Sequence, residues 1–75
     1  MRGSKRYVSV AVPTPLRSTF QYRLTTGQLA SPGTPVIIPF GKRKLVGIVT
    51  SNDTQAKVPH QKIRNVVEVL STALS

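Results

Sequence analysis

The sequence predicts an all-β fold, a small antiparallel, barrel-like domain of about five short strands. Its apolar residues recur with a period of two rather than the period of about 3.6 of a helix. The apolar runs are rich in β-branched residues, and proline and glycine turns separate them. A sheet this small hides its edge strands best by curling, so we expect a barrel-like shape.

The first strand is predicted around Val8, Val10 and Val12, which are separated by single residues of other types. This alternation leaves one strongly apolar face. Pro13 and Pro15 end the strand, because a proline cannot donate a hydrogen bond to a neighbouring strand.

The second strand is predicted from Phe20 to Leu24. Its apolar members Phe20, Tyr22 and Leu24 alternate with Gln21 and Arg23, which gives it one solvent-facing side. We place Tyr22 in the core. Phe20 suits the core and a nucleic-acid contact equally well.

The third and fourth strands are predicted as a β-hairpin over residues 36–50. Ser31–Thr34 precedes it and is typical of a type II turn, since Pro32 fixes φ and Gly33 supplies a positive φ. Residues 41–44 form a tight basic turn within the hairpin. Gly47 in the returning strand indicates a bulge or a close approach of another backbone.

The last predicted strand covers Ile63–Leu70, where four of eight residues are β-branched. The polar residues 51–59 before it are predicted to form a loose loop. We interpret residues 6–70 as one domain, residues 1–5 as a leader or disordered segment, and residues 71–75 as a linker to downstream domains.

The composition argues against an enzyme and for a binding module. The chain has 75 residues, 11 Lys+Arg, 2 Asp+Glu, one His and no cysteine. A disulfide, a metal site or a histidine-centred triad therefore has almost no residues to be built from, and we expect no cofactor. The glycine-rich loop of nucleotide hydrolases is also missing, so no catalytic residue is predicted.

The titratable residues that remain have simple interpretations. His60 follows a proline in a polar loop and is predicted to be a surface residue. Asp53 belongs to an Asn-Asp dipeptide typical of turns. Glu68 is expected to offset a nearby basic residue in the last strand.

Segments that would target a membrane are not predicted. The apolar runs are far shorter than the ~20 residues of a transmembrane helix, and none resembles a signal peptide. We therefore expect a cytoplasmic protein with no membrane partner.

The net charge of +9 indicates a polyanionic partner, nucleic acid first. Lys42, Arg43 and Lys44 at the hairpin turn, together with Lys62, are the candidates for contacts with a phosphate backbone. The alternative is that these charges only keep the domain soluble, although mixed charge usually serves that purpose. Phe40, beside the basic turn, could stack on a base or belong to the core.

Five separate segments of the chain together resemble the sequence of a known protein family. These segments are Val12–Leu16, Thr19–Tyr22, Pro39–Lys42, Gly47–Val49 and Val66–Leu70. In their order and spacing they resemble the N-terminal module of the bacterial primosomal replication-restart helicases (primosomal protein N′, PriA).

The resemblance implies a small β-rich domain that binds the 3′-hydroxyl end of a nascent DNA strand at a stalled or branched replication fork. In that family the ATPase lobes and a metal-binding region lie downstream. The implied partners are therefore DNA, the downstream helicase domains of the same protein and other primosome proteins.

The resemblance also implies a 3′-end pocket made by Phe20, Gln21, Gly41 and Arg64. Gln21 stands where better-known members carry Asp. An Asp can only accept a hydrogen bond from a 3′-hydroxyl, whereas Gln can accept and donate, so we expect a weaker form of the contact. Arg64 stands in place of Lys, which keeps the charge and adds planar donors.

Two other binding classes remain open on the sequence. A basic, SH3-like RNA-binding barrel of ribosomal or transcription-factor type would share the Pro-Gly turn, the basic hairpin and the Gly-Ile-Val return. A protein-interaction module would use its basic face to bind an acidic tail.

Overall fold

A computed structural model describes residues 6–13, 18–53 and 55–70, which form one antiparallel sheet. The predicted segments 1–5 and 71–75 and most of the turn after Pro13 lie outside the described residues. The strands are β1 (Arg6–Ala11), β2 (Thr19–Leu24), β3 (Pro35–Phe40), β4 (Arg43–Asp53) and β5 (Glu68–Val69), with a 3-10 helix at His60–Lys62 before β5. Their order in the sheet is β2-β1-β4-β3-β5, which confirms the predicted all-β class.

The core lies on one face of the sheet and is built from alternate residues of the strands. The predicted apolar face of the first strand is buried there, and Tyr22 is only 5% exposed. The Tyr22 hydroxyl donates to the Pro39 carbonyl oxygen at 2.9 Å, so its polar end is satisfied. The buried cluster comprises Val8, Val10, Val12, Tyr22, Leu24, Val36, Ile38, Val49 and Val66.

The sheet is not closed into a barrel, which corrects the barrel-like prediction. The segment before β5 makes a short link to the other edge strand, β2. The Arg23 amide donates to the Arg64 carbonyl and the Val66 amide to the Arg23 carbonyl, each at 2.9 Å. This isolated bridge to β2 is too short to form a ladder, because the chain then leaves β2 to pair with β3.

The predicted strand at Ile63–Leu70 is therefore wrong for most of its length. Only Glu68–Val69 is strand. The segment divides its backbone hydrogen bonds between two strands, and the Val67 amide already donates to the Ile37 carbonyl at 2.8 Å. Ile63 and Val66 are buried by side-chain packing rather than by strand alternation.

The β3–β4 hairpin is confirmed, with a shorter turn than predicted. Phe40 pairs with Arg43, so only Gly41 and Lys42 form the turn, and Gly41 has a φ of 62°. A positive φ at this position is what a tight hairpin turn needs. Arg43 and Lys44 belong to β4, and β4 also extends to Asp53, into the predicted loop.

The type II turn before the hairpin is confirmed. The Thr34 amide donates to the Ser31 carbonyl at 2.9 Å, and Gly33 has a φ of 95°. Pro32 precedes this glycine, as the turn type favours.

Gly47 marks a close approach between strands. A Cβ at this position would contact Val10 Cγ1 and would lie 2.9 Å from the Ala11 carbonyl oxygen. The bulge alternative does not apply to Gly47, which pairs regularly with Val36. The register shift in β4 falls instead opposite Ser9 and Val10.

Among the described residues, no helix has the length and apolar character needed to span a membrane.

Candidate nucleic-acid interface

The alternation of β2 places Phe20 and Gln21 on opposite faces of the strand. Phe20 packs against the core cluster. Gln21 lies on the other face, where it is paired with Ser9 of β1. A ligand that contacts both side chains must therefore bind at the edge of the sheet, where β2 is the outermost strand.

A pocket of about 250 Å³ lies at that edge, between the start of β2 and residues 57–63. Phe20, Val58 and Ile63 contribute apolar surface, which suits a sugar or a base. Lys57 and Lys62 add positive charge, which suits a phosphate. The full lining is Ser9, Thr19, Phe20, Gln21, Lys57, Val58, Lys62 and Ile63.

The side-chain amide of Gln21 is held by hydrogen bonds at both ends. Its Nε2 donates to Asp53 Oδ2 and to the Gln55 carbonyl oxygen, both at 2.9 Å. Its Oε1 accepts from the Lys57 backbone amide at 2.8 Å. All of these partners require the same orientation of the amide, because a carboxylate and a carbonyl can only accept and a backbone N–H can only donate.

This orientation leaves Gln21 with acceptor capacity only. Both N–H groups of the amide are used, whereas its oxygen has a second lone pair. The sequence suggested a residue that could both accept from and donate to a ligand. In the structure Gln21 offers a ligand the chemistry of an acceptor.

Asp53 lies behind this pocket wall at the end of β4 rather than in a turn. Its carboxylate accepts from Ser9 Oγ at 2.7 Å, from Gln21 Nε2 and from Ser51 Oγ at 3.2 Å. The Gln21 hydrogen bond lowers the pKa of Asp53 most. Burial opposes this effect, and Ser9, Ser51 and the Lys57 charge lower the pKa further. Asp53 is therefore a carboxylate at neutral pH.

A second group of predicted residues lies beside the hairpin turn. The Phe20 and Phe40 rings meet edge to face, with centroids 5.3 Å apart. Arg64 Nη1 donates to the Gly41 carbonyl oxygen at 3.0 Å. Burial raises the pKa of Tyr22, and the Arg64 charge opposes that shift, so these side chains share one neighbourhood.

The four predicted 3′-end residues thus lie at two adjoining places. Phe20 and Gln21 line the pocket, whereas Gly41 and Arg64 are joined to each other outside it. The Phe20–Phe40 contact connects the two places, because Phe40 directly precedes Gly41.

The residues predicted to contact phosphates also lie in different places. Arg43 is paired with Phe40 and shares its face of the sheet. Lys44 points the opposite way, as successive residues of a strand do, and Lys42 lies in the turn. Lys62 lies apart from the hairpin and lines the pocket.

Among the polar residues at this site that sequence reasoning missed are Ser9, Asp53 and Lys57. Ser9 and Lys57 carry no local signal, because one is a strand residue and the other a cation in a polar segment. Asp53 did carry a signal. It is one of only 2 acidic residues against 11 basic ones, which makes any fixed position for it informative.

Comparison with known proteins assigns the family. Residues 9–75 match the family described as the 3′DNA-binding domain (3′BD) of PriA. The chain belongs to this family. It is also 32% identical over 68 residues, or 91% of its length, to the replication restart protein PriA of Haemophilus influenzae. The chain spans 9% of the length of that relative.

Membership of the 3′DNA-binding domain family confirms the resemblance inferred from the sequence and the predicted class of DNA 3′-end-binding module. The matches give no support to the SH3-like RNA-binding alternative.

Proposed function

We propose that this 3′DNA-binding domain recognises the 3′-hydroxyl end of a nascent DNA strand at a stalled or branched replication fork. The terminal nucleotide binds in the pocket lined by Phe20 and Gln21. The observation that carries the proposal is that Gln21, whose amide is fixed with only acceptor capacity left, lines a pocket with cationic and apolar walls.

A terminal hydroxyl differs from an internal nucleotide in the group that it offers. The hydroxyl can donate a hydrogen bond to Gln21 Oε1, whereas a phosphodiester oxygen can only accept. A strand that continues past the pocket therefore loses this contact and places a charged group there. Gln21 thereby favours an end over an interior position.

The other predicted residues have supporting roles in this proposal. Phe20, braced by Phe40, packs against the terminal sugar or base. Lys62 in the pocket and Arg64 beside the turn attract the neighbouring phosphates. Gly41 lets the strand approach the backbone closely and holds Arg64 through its carbonyl oxygen.

The setting of the domain is part of the same proposal. The relative from Haemophilus influenzae is named a replication restart protein, and the chain matches a small part of it. We place the domain in a cytoplasmic protein of this kind, where it binds DNA without catalysis of its own. Downstream helicase domains and other primosome proteins are its partners.

The test uses fluorescence anisotropy with matched oligonucleotides that carry a 3′-hydroxyl, a 3′-phosphate or a 5′-phosphate. We expect about tenfold weaker binding to the 3′-phosphate, the effect of ~1–2 kcal/mol from one unsatisfied polar contact. A 5′-phosphate should leave the affinity unchanged.

Gln21→Ala should reduce the difference between the 3′-hydroxyl and 3′-phosphate ends. Gln61→Ala, which removes the same side chain from an exposed position, serves as the control and should keep the difference. Equal affinity of the wild-type domain for both 3′ ends would contradict the proposal.

A further inference from the structure

The position of Asp53 is unusual for a domain that binds a polyanion. The chain has a net charge of +9, yet one of its two carboxylates lies at the pocket proposed for DNA. A carboxylate there repels phosphate, so it weakens general DNA binding. Its position calls for a specific role.

We propose that Asp53 is a specificity-determining residue that makes the pocket accept a 3′-hydroxyl and reject a 3′-phosphate. This inference rests on the proposed function and deepens it. Asp53 does not line the pocket and acts through Gln21, so its role is that of a positioning residue.

The first part of the argument is the orientation of the Gln21 amide. Asp53 Oδ2 accepts one of its two N–H groups, at 2.9 Å. A carboxylate cannot donate, so this contact holds the nitrogen end of the amide towards Asp53. Together with the Gln55 and Lys57 contacts, it leaves only the second lone pair of Gln21 Oε1 for a ligand, and only a group with a proton to donate can use it.

The second part is charge. A terminal phosphate carries about −1.5 to −2 at neutral pH. The Asp53 carboxylate lies directly behind Ser9 and Gln21, two residues of the pocket wall, with Oδ2 at 2.7 and 2.9 Å from their donor atoms. From behind the pocket wall, its repulsion of a phosphate opposes the attraction of Lys57 and Lys62, whereas a neutral hydroxyl experiences neither.

The contacts that hold Asp53 also fix the position of its charge. Ser9 Oγ and Ser51 Oγ both donate to the carboxylate, from neighbouring strands. An aspartate with no role beyond a turn would not need these two donors. They are what holds the Asp53 carboxylate in one position beside the pocket.

The test measures binding of 3′-hydroxyl, 3′-deoxy and 3′-phosphate strands to the wild-type domain and to Asp53→Asn. An Asn side chain accepts from Gln21 Nε2 more weakly than a carboxylate, which loosens the amide, and it removes the charge. We expect the preference for 3′-hydroxyl over 3′-phosphate to fall by roughly three- to tenfold, the size of one screened charge interaction. The preference for 3′-hydroxyl over 3′-deoxy should fall by less, because the Gln55 carbonyl and the Lys57 amide still hold the Gln21 amide.

Glu68→Gln is the matched control. It removes the chain's other acidic charge from β5, at the edge of the sheet opposite β2. It should raise affinity for all strands slightly and leave both preferences unchanged. Asp53→Ser is measured in parallel as a second neutral replacement, and thermal melts of all variants report folding.

The outcomes separate the two proposals. Loss of discrimination in the Asp53 variants alone supports the role of Asp53. A wild-type preference that survives in folded Asp53→Asn or Asp53→Ser overturns that role and leaves 3′-end recognition intact. A wild-type domain without any preference overturns both.

Discussion

At the scale of single residues, Tyr22 connects the core to the site. Its ring is buried, its hydroxyl donates to the Pro39 carbonyl, and the Arg64 charge acts on it from outside. Pro39 comes just before the Phe40–Gly41 pair, so the hydrogen bond ties β2 to the end of β3 close to the hairpin turn. The geometry around Phe20 and Phe40 therefore depends on this contact.

Tyr22→Phe tests the contact without removing the ring. We expect a loss of ~0.5–1.5 kcal/mol in the free energy of unfolding, since the Pro39 carbonyl loses its donor. Tyr22→Ala should lose ~3–5 kcal/mol, as for other truncated core aromatics. Thermal or urea unfolding measures both, and a Tyr22→Phe variant as stable as the wild type would show that water replaces the hydroxyl.

At the scale of the elements, a single residue of β4 sets how closely β4 and β1 can approach each other. Gly47 allows this close approach, because it has no side chain and leaves room for Val10 and for the Ala11 carbonyl. The same strand then carries Ser51 and Asp53 to the outer face, where Ser9 donates to Asp53. Packing on one face and the polar network on the other thus share one strand.

Gly47→Ala should destabilise the domain by ~1–3 kcal/mol, because the new methyl group overlaps Val10 and approaches backbone that cannot move alone. Urea unfolding measures the effect. In the double variant with Val10→Ala, the loss should be smaller than the sum of the single losses, since part of the overlap disappears. Additive losses would contradict this account of the contact.

At the scale of the whole molecule, the excess of basic residues creates a general attraction for DNA, and in the proposed function the pocket adds selectivity. Because side chains alternate along β4, its two basic residues lie on opposite faces of the sheet, Arg43 on the face of Phe40 and Lys44 on the other face. The face of Lys44 also carries the exposed apolar residues Val46 and Ile48. We therefore expect the DNA to follow the Arg43 side of the hairpin.

The salt dependence of binding tests this direction. If three to five phosphates are contacted, log K should fall against log[salt] with a slope of about −2 to −3.5 for a single strand. Arg43→Ala should reduce the slope by about 0.7, the contribution of one phosphate contact. Lys44→Ala is the control and should leave the slope nearly unchanged, whereas equal effects of the two variants would show that the hairpin tip binds without a preferred face.

Four features could be predicted from the amino-acid sequence, namely the all-β class, the β3–β4 hairpin, the Pro32–Gly33 turn and the burial of Tyr22. Each of these features depends on apolar alternation or on turn-forming residues within a few positions, and such local patterns can be recognised in a sequence. For Gly47 the sequence left a bulge and a close approach open, and the structure shows the close approach. Family resemblance added the 3′-end-binding class, which the family match confirms.

The assembly of the candidate site could not be predicted from the sequence, because it depends on contacts between distant segments. The chain after Ile63 divides its hydrogen bonds between β2 and β3, so its residues form a bridge and a two-residue strand instead of the predicted long one. Gln21 meets Asp53 across 32 residues and Lys57 across 36 residues. Contacts of this separation depend on strand order and register, which local propensity does not encode. A glutamine becomes a fixed acceptor, and an aspartate typical of a turn becomes a fixed charge, only when the sheet brings them together.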